Sequence, residues 1–192
     1  MHQQHELRTA RLVMRPLVAG DAEQLHELWT TAGVRRFLWD DEVIPPARTV
    51  AAIERSQTLF RERAFGLWGA WPAQQPSTLA GFGGLWPFRE PPELELLYGV
   101  AEPEWGRGYA TDLAHAVVGY CFDVLGMSRV GASTDVANVA SIRVLEKLGA
   151  AFVRRADVDG LDTVFYEVRQ HSAKAARRST GDSSFDRQDP AR

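Results

Sequence analysis

The stretch Val100-Ala101-Glu102-Pro103-Glu104-Trp105-Gly106-Arg107-Gly108-Tyr109-Ala110-Thr111 decides how the rest of this chain is read. An apolar run at 94–100 ends here, a short loop with two glycines follows, and a helix predicted over about 110–125 begins. Glycine lets a backbone approach an anion closely and take up positive φ where a turn requires it. The first-turn N–H groups of a helix lack intrahelical partners, and the helix dipole places partial positive charge there, so this junction suits an anion such as a pyrophosphate. A tight turn without a ligand is the alternative reading of an isolated Gly-x-Gly. Two other phosphate-binding patterns do not fit. A P-loop needs Gly-Lys followed by Ser or Thr, which Arg107-Gly108-Tyr109 does not supply. A dinucleotide fingerprint needs a third Gly or Ala where Thr111 stands, and it belongs to a parallel sheet.

Working outward, the sheet around the loop reads as mostly antiparallel. Runs at 65–71, 79–88 and 94–100 are joined by the turn-type segments Pro72-Ala73-Gln74-Gln75-Pro76-Ser77 and Arg89-Glu90-Pro91-Pro92, too short for crossover helices. Toward the N-terminus, Arg11-Leu12-Val13-Met14-Arg15-Pro16-Leu17 alternates as a strand does. Asp21 with Gln24 has capping-box spacing ahead of a helix through Leu25, Leu28 and Trp29. A second helix, carrying Val50, Ile53, Leu59 and Phe60, is predicted after Pro45-Pro46. Downstream, a strand at 129–134 leads to a helix at 139–148 that stops at Gly149, and strands at 151–158 and 163–168 flank Asp159-Gly160. The expected architecture is α+β: a mixed, mostly antiparallel central sheet flanked by helices on both sides. Residues 1–170 form the predicted domain, and 171–192, poor in large apolar residues, a disordered tail.

Composition narrows the function classes. The 192 residues carry 22 Lys+Arg against 25 Asp+Glu, net −3, a balance that argues against a dedicated nucleic-acid binder. Beyond residue 170 lie five basic and three acidic groups, so residues 1–170 hold 17 against 22, net −5, which favours a cationic partner over an anionic polymer. No apolar run is long enough to span a membrane. Cys121 is the single cysteine and sits among Val117, Val118, Tyr120 and Phe122, so it reads as core, and His115 on the same helix as structural. No disulfide framework or metal site is expected, and the N-terminal segment has no signal-peptide core, which points to the cytoplasm.

The loop resembles the acetyl-CoA-binding motif of the GCN5-related N-acetyltransferases (GNAT family), with Gly108 and Ala110 in its two small positions. Asn138-Val139-Ala140-Ser141 leading to Lys147-Leu148-Gly149-Ala150 is similar to a second segment of that family. Arg11-Leu12-Val13-Met14-Arg15-Pro16-Leu17 with Asp21 resembles the opening of its ribosomal-protein N-acetyltransferase (RimJ/RimL-like) branch. The resemblance implies acetyl transfer from acetyl-CoA to a primary amine by direct attack in a ternary complex. The acceptor would be a protein N-terminal α-amine or a small amine such as a polyamine, amino acid or aminoglycoside. A non-catalytic acyl-CoA sensor is the reading from another class, and the state would be monomer or homodimer.

The same resemblance distributes roles. Amides of Gly106, Gly108, Tyr109, Ala110 and Thr111 would hold the pyrophosphate, with Arg107 adding charge, and the strand end at Tyr98 and Val100 would meet the pantetheine arm. Gly108→Val is expected to obstruct the pyrophosphate. Asn138 is either a cofactor contact or an ordinary N-cap. Glu95 is the candidate base, on one strand face with Glu93 and Leu97, the opposing reading being a solvated face. Many relatives carry Tyr where this chain has Leu145, which leaves Ser141 as the hydroxyl near the expected sulfur, either as acid or as a hydrogen-bond donor only. Trp29 and Trp39, beside Asp40-Asp41-Glu42, are candidates for binding a cationic acceptor, or core aromatics next to a solvated loop.

Overall fold

In a computed structural model that describes residues 5–88 and 94–170, the alternating N-terminal segment forms β2 (Leu12–Pro16), paired with the short β1 (Leu7–Arg8). Helices α1 (Ala22–Thr30), α2 (Ala32–Leu38) and α3 (Pro46–Arg63) follow, then the meander β3 (Leu67–Pro72), β4 (Gly81–Pro87) and β5 (Leu94–Val100). The remainder is α4 (Tyr109–Asp123), β6 (Arg129–Asp135), α5 (Val139–Lys147), β7 (Ala151–Val158) and β8 (Leu161–Arg169). The eight strands form one sheet in the order β1-β2-β3-β4-β5-β6-β8-β7. Every neighbouring pair is antiparallel except β5–β6. The expected mixed sheet with helices on both faces is therefore present. The predicted tail at 171–192 and Glu93 lie outside the described residues.

Strand alternation sorts the core into two layers. Trp68, Ala70, Leu85 and Leu96 face α4 and α5, where Leu113, Val117, Val118, Val144 and Leu145 meet them. Leu67, Trp71 and Phe82 face the other way, onto Leu25, Leu28 and Trp29 of α1 and Ile53 of α3. Each such large apolar side chain contributes about 1.5–3 kcal/mol by leaving water. Cys121 lies in the first layer as expected, and burial pushes its thiol up to about 12. Among the described residues, no helix is long and apolar enough to cross a membrane.

Several local expectations change. Asp21 occupies the N-cap of α1 but makes no side-chain cap bond. Its carboxylate accepts both Arg15 nitrogens, each at 2.7 Å, and the Val18 N–H at 2.8 Å. A planar guanidinium fork outcompetes a local amide for that carboxylate. Gln24, the expected partner of the box, instead accepts the Leu79 N–H with its side-chain oxygen at 2.8 Å. Helix α2, absent from the sequence reading, is separated from α1 only by Thr31, whose extended backbone (φ −62°, ψ 144°) ends one helix and starts the next. Helix α3 starts with Pro46 in its first turn, where a missing N–H costs nothing, and ends at Ala64 in the left-handed region (φ 59°) without a glycine. Helix α5 ends as predicted: Gly149 has φ 72°, and the N–H groups of Gly149 and Ala150 bond to the carbonyls of Glu146 and Leu145, both at 3.0 Å, a Schellman closure.

Candidate active site

The site begins with a divergence in the sheet. β5 pairs with β4 along its whole length, from Leu94↔Pro87 to Val100↔Gly81, but with β6 only at Glu95↔Gly131. Beyond Glu95 the two parallel strands separate, and among the described residues the β6-facing edge of residues 96–100 has no strand partner. Backbone groups on such an edge require another source of hydrogen bonds. The loop at 101–108 continues from this edge into α4, so the open edge and the helix N-terminus form one continuous track.

The loop is braced from inside. Residues 102–104 form a single 3-10 turn, and Gly106 and Gly108 have φ of 76° and 78°. At Gly106 a Cβ would meet nothing within 4 Å, so the glycine is required there by conformation alone. At Gly108 the structure adds a second constraint to the expected one. The space a Cβ would take is filled by Arg11, whose Nη1 would lie 2.7 Å away, so a side chain there collides with a protein group. Gly108 is the N-cap of α4, which leaves the N–H groups of Tyr109, Ala110 and Thr111 without intrahelical acceptors. Arg107 is exposed and pairs with Glu104 at 3.1 Å. Trp105 donates its indole N–H to the Val100 carbonyl at 2.8 Å, so that carbonyl is engaged within the chain, which narrows what Val100 offers a ligand. Glu102 accepts the Gly33 N–H at 2.6 Å, tying the start of α2 to the loop.

Two polar clusters lie on opposite faces of β5, at the divergence. Glu95 points to the α1–α3 side and is 4% exposed, so the solvated-face reading does not hold for it. It accepts a hydrogen bond from Ser133 Oγ of β6. Sequence reading missed Ser133; its signal is the period-2 spacing that places Gly131, Ser133 and Asp135 on one face of β6. Burial, together with the charge of Asp40, holds the Asp135 carboxyl above its usual range. On the opposite face, Tyr98 reaches across the divergence to α5. Its Oη lies 2.8 Å from Ser141 Oγ and 3.1 Å from the Ser141 carbonyl. Burial, offset in part by the bond to Ser141, pushes the Tyr98 hydroxyl up to about 12, so it keeps its proton at neutral pH and is a donor. Asn138 caps α5 by accepting the Ser141 N–H at 3.2 Å, which fixes Ser141 in the helix's first turn. Leu145 is 1% exposed and belongs to the core.

Of the two readings of the tryptophans, the structure favours the core one for Trp29. Trp29 is 2% exposed and makes edge contacts with Trp39 at 5.3 Å and Phe82 at 5.5 Å, so its ring is core. A cation already covers Trp39: the Arg48 guanidinium sits 4.5 Å from the ring centroid. Arg48 also pairs with Glu42, and Arg35 with Asp41. The bulk of Trp29 and the carboxylates of Asp41 and Glu42 thus serve the protein's own packing and ion pairs.

A family model described as "Acetyltransferase (GNAT) domain" matches residues 11–151. The uncharacterized N-acetyltransferase YoaA of Bacillus subtilis is 27% identical over 143 residues, covering 74% of this chain and 81% of that protein. The crystal structure of an acetyltransferase from Agrobacterium tumefaciens aligns with TM-score 0.75 at 21% identity, over 86% of this chain and 94% of that one. A spermidine N-acetyltransferase from Vibrio cholerae, solved with CoA and spermine, aligns with TM-score 0.70 at 18% identity, over 86% of this chain and 99% of that one.

Proposed function

Because this chain belongs to the GNAT acetyltransferases, we propose that it transfers the acetyl group of acetyl-CoA directly to a primary amine in a ternary complex. The observation that carries this reading is the divergence of β5 from β6. It opens a backbone edge that ends at a helix N-terminus, with a carboxylate on one face and a hydroxyl pair on the other. The amides of Tyr109, Ala110 and Thr111, with those of the glycine loop, hold the pyrophosphate, and the open edge of β5 takes the pantetheine arm. Glu95, steadied by Ser133, removes the amine proton, directly or through one water. Ser141, at the N-terminus of α5 and backed by Tyr98, donates to the sulfur as charge develops on it, and the dipole of α5 favours that charge. Asn138 fixes this geometry through its cap. A thiol of pKa about 8.5 leaves readily enough that a hydrogen bond, without full proton transfer, is useful there.

The acceptor we propose is the α-amine of a protein N-terminus, on the resemblance of the 11–21 segment to the RimJ/RimL-like branch. A second reading, a polyamine or other small cationic amine, is supported by Asp135: burial and the charge of Asp40 hold its carboxyl above the usual range, a cost that a bound cation relieves. The reaction is placed in the cytoplasm, where acetyl-CoA is available. The test is initial-rate kinetics with both substrates varied: intersecting lines are expected, and mass spectrometry of the intact protein incubated with acetyl-CoA alone should find no acetylated form. A parallel-line pattern with an acetyl-protein would overturn direct transfer.

A further inference from the structure

The N-terminal motif Arg11-Leu12-Val13-Met14-Arg15-Pro16-Leu17 contains two arginines. Arg15 is absorbed by Asp21 within the same corner of the fold. Arg11 reaches elsewhere. Its Nε donates to Asp112 Oδ2 at 2.7 Å, its Nη2 to Asp112 Oδ1 at 2.6 Å, and its Nη1 to the carbonyl of Arg107 at 2.7 Å. One guanidinium therefore grips the first turn of α4 and the loop before it, from the β1–β2 turn about a hundred residues earlier. It lies against Gly108, in the only direction in which that residue's missing side chain would project.

We infer that Arg11 is a positioning residue for the cofactor's diphosphate, acting through Asp112 and the Arg107 carbonyl. This rests on the reading above that the loop binds CoA. Two physical effects combine. First, Asp112 stands in the first turn of α4, where its charge opposes an arriving diphosphate; a bidentate guanidinium neutralises it and holds it turned toward β2. Second, holding the Arg107 carbonyl toward the guanidinium keeps an oxygen lone pair away from the ligand side, so that neighbouring amides present N–H groups to the anion. Lysine would do neither fully, since a single ammonium cannot span both carboxylate oxygens and the carbonyl in one plane. The exposure of the pair (48% for the Arg11 side chain, 19% for that of Asp112) means the contact contributes through loop geometry and local charge more than through overall stability.

The experiment is calorimetric titration of the full-length protein with CoA, with thermal melts of each variant. Arg11→Ala is expected to weaken CoA binding about tenfold. Adding Asp112→Asn to that variant is expected to recover most of the loss, because it removes the exposed charge, although it deletes no less of the contact. Arg11→Lys gives a milder loss of about threefold and keeps the comparison available if Arg11→Ala fails to fold. The loss falls on KM for acetyl-CoA more than on kcat. Wild-type affinity in Arg11→Ala, or no recovery in the double variant, overturns this inference alone. Failure of the wild-type protein to bind CoA overturns both it and the functional reading.

Discussion

Tyr98 and Ser141 offer a quantitative test of how the site stabilises a leaving thiolate. The Tyr98 hydroxyl lies 2.8 Å from Ser141 Oγ and keeps its proton at neutral pH, since burial pushes it up to about 12. When its proton goes to Ser141 Oγ rather than to the Ser141 carbonyl at 3.1 Å, the serine's own proton is left for the sulfur. Removing the phenol oxygen in Tyr98→Phe deletes one neutral hydrogen bond, about 1 kcal/mol, and should slow kcat roughly fivefold. Ser141→Ala deletes a donor to a developing anion, about 1.5–3 kcal/mol, and should slow it roughly 10–150-fold. The double variant should be no slower than Ser141→Ala, with a coupling energy of about 1 kcal/mol, because Tyr98 acts only through the serine. The assay is release of free thiol from acetyl-CoA followed with a chromogenic disulfide at saturating substrates. Cys121, the chain's single thiol, is buried and contributes no background. Tyr98→Phe should also lower Tm by about 2–4 °C, as expected for about 1 kcal/mol in a domain of this size. Multiplicative losses in the double variant would show that Tyr98 acts independently of Ser141 and would refute the reasoning.

Three further outcomes follow from named contacts. Glu95→Gln should lower kcat by roughly 10²–10⁴ with CoA affinity retained, and Ser133→Ala, which only releases the Glu95 carboxylate, should lower it by roughly tenfold, both read by steady-state kinetics. Asp21→Asn should cost roughly 2 kcal/mol at neutral pH, held to that by the water-screened Arg15 side chain (35% exposed), and lower Tm by about 4–8 °C. Burial alone would raise the Asp21 carboxyl; its bonds to Arg15 and Val18 outweigh burial and hold it below its unfolded value, so this stability is complete above the unfolded pKa and is lost as pH falls through the folded one. Melts from neutral pH into the acid range should therefore show wild type converging on Asp21→Asn. Finally, Gly106→Ala should cost only backbone strain, about 1 kcal/mol, whereas Gly108→Val should in addition displace Arg11 and weaken CoA binding further; equal CoA affinity in the two variants would refute the distinction.

The fold was legible because its signals are local and repetitive. Alternation at 94–100, two glycines before a helix and Gly149 after one each carry a direct conformational meaning, and the structure realises all three. Helix α2 was not legible, because Thr31 separates it from α1 by a single extended residue and Gly33 weakens its own helical signal. At the site, Glu95 was singled out by the family resemblance, period-2 spacing put it on one face with Leu97, and only the structure shows that this face is buried there. Ser133 and Arg11 were missed as partners for a different reason: each meets its target across 38 to 101 residues of chain, and pairing at that distance depends on strand order, which no window of sequence contains. The tryptophans show the converse. Sequence left an acceptor wall and core aromatics equally open; a large indole beside a sheet is more effective as core, and the cation over Trp39 comes from Arg48.

Attack of an amine on acetyl-CoA at the divergence of β5 and β6 is the step on which the proposed function depends. The most direct measurement is thiol release by the wild-type protein over a panel of peptides with free N-termini, polyamines and amino acids, with mass spectrometry of each acceptor. Release is expected to depend on one class of amine and to be matched, mole for mole, by the acetylated product. Tight CoA binding with no amine-dependent release from any member of the panel would contradict it and leave the chain a sensor of acyl-CoA.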